Sequence, residues 1–269
     1  MTDDTRPGQP IEAGTPLALG LRLLDHQLLG REQEMLGNVD DVALEEHEGR
    51  LVAVGVLRGP GAWAHRQPGA LGRWGRAIWR RLDSREDPRP LVLPLDHVLA
   101  IGSAVHVDRW ADTFLAGADG LELWMRRYVV AKIPGARGGD HPFGGELAQV
   151  PRQDGDLDLA PTAHLLSGLI GARVVRADGS DAGRVVEVRA VQGTAMSSRV
   201  GPLVVTSIVH GPHRLGGELG YREDPEMGPV LLGSALRWWH RHDIETSWDD
   251  VRSVDWAASR VQLRGPGGG

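Results

Sequence analysis

Hydrophobic positions in this chain come in short runs rather than long stripes. LVAVGVLRGP, residues 51–60, is apolar at every position from Leu51 to Leu57, and LVVTSIVHGP, residues 203–212, says nearly the same thing again. Leu51 matches Leu203, Val52 matches Val204, Val56 matches Ile208, Gly59 matches Gly211 and Pro60 matches Pro212, all at one offset. A valine-rich run of this length, stopped by Gly-Pro, is too short for a buried helix and predicts a strand covered on both faces. On a strand, Val52, Val54 and Val56 would share one face and Leu51, Ala53, Gly55 and Leu57 the other.

The flanking pattern predicts more strands in a repeated order. LGLRLLD, with Leu19, Leu21, Leu23 and Leu24, reads as a short strand, and Gly37 opens another through Val39, Val42 and Leu44, turning at His47, Glu48 and Gly49. LVLPLDHVLAIGSAVHV returns to strand composition and ends in the alternating Val105 and Val107. The second half gives a strand at 172–176, a turn at Asp178 and Gly179, Gly183 before RVVEVRAV, then the repeat strand. SWDDVRSVDWAASRVQL closes it, with Asp249, Val251, Val254 and Val261 standing for Asp96, Val98, Ile101 and Val105. A period this long marks duplicated units, each expected to enclose a core of its own, rather than a solenoid.

Each copy is interrupted at the same place by a tryptophan-rich insertion. GALGRWGRAIWRRLD puts Leu71, Trp74, Ile78, Trp79 and Leu82 on one helical face, with Arg73, Arg76, Arg80 and Arg81 mostly elsewhere. The second insertion is GSALRWWHRHD, with Arg237, Trp238 and Trp239. Between the copies, Leu121, Trp124, Met125, Tyr128 and Val129 at helical spacing predict one helix ended by Pro134 and Gly135, followed by an acidic Gly/Pro-rich linker. The expected organisation is a disordered tail at 1–16, a first domain at 17–110 with its insertion at 61–89, helix and linker at 111–164, a second domain at 165–265 and a tail at 266–269.

The turn glycines and valines carry a resemblance. Ile170, Gly171, Val174, Asp178, Gly179, Gly183, Val185 and Val188 form a pattern similar to the opening of PRC-barrel domains, named for the H subunit of the photosynthetic reaction centre and found also at the C-terminal end of a ribosome maturation factor. Leu19, Gly20, Leu23, Asp25, Gly37, Val39 and Val42 match it more loosely in the first half. The resemblance implies a mainly β fold of two tandem small PRC-like β-barrels with short helical insertions and one connecting helix. It implies protein-interaction modules without shared catalytic residues, so it supplies no site.

Composition narrows the chemistry. A net charge of −6 disfavours wholesale nucleic-acid binding, and the absence of cysteine excludes disulfides, thiolate nucleophiles and Cys-ligated zinc. The N-terminal stretch lacks a basic region followed by an apolar one, and no run reaches a membrane span, so a cytoplasmic location is expected, with a place peripheral to the inner face of the membrane as the alternative. No phosphate-cradling loop, dinucleotide fingerprint, HExxH helix or GxSxG elbow occurs. His210, His213, His240, His242 and Asp243 are the nearest approach to a metal set, but His240 and His242 diverge on a helix, and solvated or interface histidines are the simpler reading. Asp40, Asp41, Asp249 and Asp250 read as exposed turn and edge-strand charges.

Local charge is the remaining signal. Arg58, Arg66, Arg73, Arg76, Arg80, Arg81, Arg85 and Arg89 outnumber Asp83, Glu86 and Asp87 on a chain that is acidic as a whole. The simplest reading is that Trp74, Ile78 and Trp79 cap a barrel end with solvated arginines outside. The functional reading makes Arg73, Trp74, Arg76, Trp79, Arg80, Arg81, Arg237, Trp238 and Trp239 an interaction surface. On that reading the protein is a non-catalytic scaffold or adaptor with a protein partner, no cofactor and no metal. The alternatives are attachment to an anionic membrane through residues 69–85, and association with the ribosome or RNA.

Overall fold

A computed structural model describes residues 14–59, 61–62, 72–75, 77, 90–111, 115, 158–192, 199–212 and 243–265. The fold is mainly β and the strand order repeats. The first half runs β1 (Pro16–Ala18), α1 (Leu19–Leu23), β2 (Gln27–Leu29), β3 (Met35–Asn38), β4 (Asp41–His47), β5 (Arg50–Leu57), β6 (Val92–Pro94), a 3-10 turn (Leu95–His97), β7 (Val98–Ile101) and β8 (Val105–Val107). The second runs β9 (His164–Leu165), α2 (Leu166–Leu169), β10 (Arg173–Val175), β11 (Asp181–Gln192), β12 (Leu203–Gly211), β13 (Ile244–Ser247), a 3-10 turn (Trp248–Asp250), β14 (Val251–Asp255) and β15 (Arg260–Leu263).

The pairings repeat with the elements. β4 pairs antiparallel with β5 as β11 does with β12, and β2 runs parallel to β8 as β10 does to β15. Ile101 faces Val105 and Val254 faces Val261, which bears out the sequence match of these four residues. Local chemistry explains the turns. Glu48 and Gly49 both have positive φ, 50° and 76°, as a two-residue hairpin following the strand twist requires.

Three details depart from the sequence reading. LGLRL is a single helical turn, not a strand, because Leu19, Gly20 and Leu23 face the core at helical spacing. Gly20 is also not the counterpart of Gly171. The N–H of Asp25 donates to the Val39 carbonyl as the N–H of Gly171 does to Val185, both at 2.8 Å. Asp25 therefore holds the left-handed place, with φ 63° against 84° at Gly171. The alternation of β5 also shifts: Leu51, Ala53 and Val56 enter the main core, whereas Val54 and Leu57 pack in a small separate cluster with Ala43 and Ala62.

The halves do not enclose separate cores. β5 and β12, the repeated apolar strands, pair antiparallel with each other at Val52 and Val204 and at Ala53 and Leu203, so one sheet of eleven strands runs through both halves. The leading arms cross as well. β1 joins β11 of the second half through Leu17 and Ala190, and β9 joins β4 of the first through Leu44 and His164. One continuous cluster accordingly holds Leu19, Leu44 and Leu51 together with Leu166, Leu203 and Ile208. Pairing of β5 with β12 extends one sheet edge to edge across the repeat, and the shared cluster covers the faces of both strands.

Candidate functional site

Two buried carboxylates hold the crossed arms. Glu187, 8% exposed on β11, accepts the N–H of Gly20 at 2.7 Å and of Leu21 at 3.0 Å, two donors at the start of α1 that have no partner within the helix. Asp41, fully buried on β4, accepts the N–H of Ser167 in α2 at 3.1 Å and a short hydrogen bond from its hydroxyl. Each carboxylate also accepts the N–H of the following valine, Val188 at 2.9 Å and Val42 at 2.8 Å. Asp41 is thus a buried link between the halves and not an exposed edge charge. Asp40 accepts the N–H of Gly59 at 2.6 Å, while Asp249 and Asp250 are exposed as expected.

His97, Asp108 and Trp110 of the first half meet Arg199 of the second. One oxygen of Asp108, Oδ2, lies 2.9 Å from His97 Nδ1 and 3.1 Å from Arg199 Nη2, while Oδ1 accepts the N–H of Ala111 at 3.0 Å. The His97 ring stacks on Trp110 with centroids 3.9 Å apart. Burial works to raise the Asp108 pKa, but the His97 hydrogen bond, the Ala111 N–H and the nearby charges of His97 and Arg199 hold it below the ordinary carboxylate value. An aspartate steering a histidine is a familiar part of acid–base sites. Here Arg199 occupies the same oxygen and also donates to the Asp96 carbonyl at 3.0 Å, while its own carbonyl accepts from the Gln192 amide, so the cluster ties Arg199 and Gln192 to the first half.

The histidine and metal readings resolve similarly. His210 is 2% exposed, with Nδ1 donating to the Ala182 carbonyl and Nε2 bonded to Thr246 Oγ1, each at 2.9 Å. It is a satisfied core histidine rather than a solvated one or a ligand. His213, His240 and His242 lie outside the described residues, and among the described residues no three His, Asp or Glu side chains gather for a metal. A shallow cleft is lined by Arg173, Asp181, Gly183, Arg184 and Pro212. Arg173 pairs with Asp181 at 3.1 Å and Arg184 donates to the Gly171 carbonyl at 2.7 Å, so both guanidinium groups are engaged within the fold.

The basic insertion is described in part. Residues 72–75 and 77 are helical; Arg73 is exposed and Trp74 is 65% exposed. Trp74 therefore does not cap a barrel end. Arg76, Trp79, Arg80, Arg81, Arg237, Trp238 and Trp239 lie outside the described residues, as do Ile78 and the whole of the helix expected between Leu121 and Pro134. No helix among the described residues is long and apolar enough to cross a membrane. A scan against protein-family models finds no match to this chain, and a search of curated proteins finds none.

Sequence reasoning missed the two carboxylates because burial depends on the opposite half arriving over them. Their one signal was position: Asp41-Val42 and Glu187-Val188 each follow by two residues the matched valines Val39 and Val185.

Proposed function

We propose that the chain is a non-catalytic scaffold built from two PRC-like repeats, holding a protein partner on the face of its first insertion. The observation that carries this is Trp74, 65% exposed on a helical turn beside exposed Arg73. Tryptophan and arginine are the side chains most enriched among energetically dominant interface residues, because each combines a large contact area with a directed polar group. A two-half body whose buried carboxylates Asp41 and Glu187 join the halves suits a platform for such a face. The expected location is the cytoplasm.

The test is crosslinking mass spectrometry on cells carrying the intact chain or a Trp74→Ala, Arg73→Ala variant. The scaffold reading expects a saturable protein partner crosslinked near residue 74 and lost in the variant. Equal recovery with both chains contradicts it. The same exposed Trp beside Arg also favours a second reading, contact with an anionic membrane surface, in which the indole enters the headgroup region and the guanidinium meets lipid phosphate. Flotation with acidic liposomes separates the two, since only the membrane reading predicts recovery with lipid in the absence of other protein.

A further inference from the structure

The outer faces of the two halves differ at matched positions. In the first half Ala43 pairs with Gly55 and Leu57 with Val92, as in the second Arg189 pairs with Ser207 and Val209 with Glu245. The second set is polar and joined: Ser207 Oγ donates to Glu245 Oε1 at 2.6 Å, and Arg189 Nη1 lies 3.1 Å from Oε2. The first set is small or apolar. A Cβ at Gly55 would collide with Val92 Cγ1 and with the Leu93 carbonyl oxygen, so the bare glycine lets Val92 lie against the strand where the second half has a serine.

This apolar patch is covered, and its cover comes from the first insertion. Ala43, Leu57 and Ala62 are buried together, with Val54, Val92, Leu159 and Leu165 packed on them. Ala62 belongs to the helical residues 61–62, where the insertion leaves the sheet, and Val92 belongs to β6, where the chain returns from it. Both ends of the insertion are therefore pinned on one patch. Gly72, which opens the helical turn carrying Arg73 and Trp74, is buried as well.

We propose that Ala43, Gly55, Leu57 and Val92 form a seat that fixes the first insertion on the sheet and so sets the position of the Trp74 face. They are positioning residues for that face, and the inference rests on the scaffold reading for what the face does. A partner that meets an immobilised Trp74 and Arg73 loses less conformational entropy on binding than one that must order them. The matched positions of the second half hold an ion pair in place of the patch, so the seat serves the first insertion.

The test uses the full chain, which has no cysteine, so a nitroxide attached through Trp74→Cys reports from one position. Two backgrounds disturb the seat from opposite sides. Ala43→Arg with Gly55→Ser and Val92→Glu copies the network of the second half, and Ala62→Asp leaves the sheet residues as they are. The label should be restricted in the otherwise unchanged chain and move about threefold faster or more in both backgrounds, while the amides of β5 and β12 stay protected from exchange. Ala62→Asp decides the case if the triple variant loses that protection. With Trp74 in place, both backgrounds should also lose the crosslinked partner near residue 74. Equal label mobility in the seat variants and the parent chain overturns the seat, whatever is crosslinked. Mobility gained in the variants, with no partner crosslinked to the intact chain, supports the seat and contradicts the scaffold reading.

Discussion

Val52 and Val204 face each other across the junction of β5 and β12, and each is the other's counterpart in the repeat. The approximate two-fold axis relating the halves therefore passes between them. Sequence duplication and strand pairing meet at this one point, and the stability of either half becomes inseparable from the other.

The first prediction concerns that junction. Ala53 is fully buried opposite Leu203, also fully buried. Ala53→Asp places an unpaired carboxylate there and should cost about 4 kcal/mol or more, unfolding both halves together. Val54 is only partly buried against the small cluster, so Val54→Asp should cost less. Urea unfolding of the two variants checks the order, and a costlier Val54→Asp would contradict the packing described.

Removing the carboxylate grips should loosen the arms selectively. Glu187→Ala strands the N–H groups of Gly20 and Leu21, and Asp41→Ala strands that of Ser167. Each should destabilise by roughly 1–3 kcal/mol, the range for leaving buried donors unmet. Hydrogen exchange should quicken at residues 19–23 in the first variant and at 166–169 in the second, each change appearing in the half opposite the substitution. Quickening confined to the substituted half would argue against crossed arms.

Two matched glycines should differ in cost. Gly37 and Gly183 both have positive φ, 113° and 98°, so alanine is strained at either. A Cβ at Gly183 would lie 2.1 Å from the Gly211 carbonyl oxygen, which is backbone, whereas at Gly37 it would meet the guanidinium end of Arg58, which can swing away. Gly183→Ala should lower the thermal midpoint distinctly more than Gly37→Ala.

Acid should weaken the fold in two steps. Burial against Trp256 depresses the His164 pKa below its ordinary 6.5, with Glu46 opposing. The unfolded chain then takes the proton first, so this stability is complete above pH 6.5 and declines as pH falls from there through the folded value. Asp108 is depressed below its ordinary 3.8, so its contribution holds above that pH and is lost as pH falls further. His164→Phe should erase the upper step in a pH series of urea midpoints and leave the lower one.

The strand order was legible because it rests on local pattern. Valine runs, the Asp178-Gly179 turn and the match of Val98, Ile101 and Val105 to Val251, Val254 and Val261 all survive folding unchanged. The joining of the halves was not legible, since an apolar strand looks alike whether it lies within one barrel or pairs with its own repeat. Asp41 read as surface for the same reason: its partner Ser167 lies far along the chain. Gly20 misled by being the wrong residue type at the wrong place, because Asp tolerates the left-handed conformation that Gly171 uses. Trp74 misled in the opposite direction, since amphipathic spacing predicts burial and the indole is exposed.

The measurement closest to the central claim is equilibrium unfolding of the intact chain followed by hydrogen exchange mass spectrometry. One body sharing a sheet across Val52 and Val204 predicts a single cooperative transition, with β5 and β12 losing protection at the same urea concentration. Two separated transitions, with residues 203–211 still protected after 50–57 have exchanged, would contradict it.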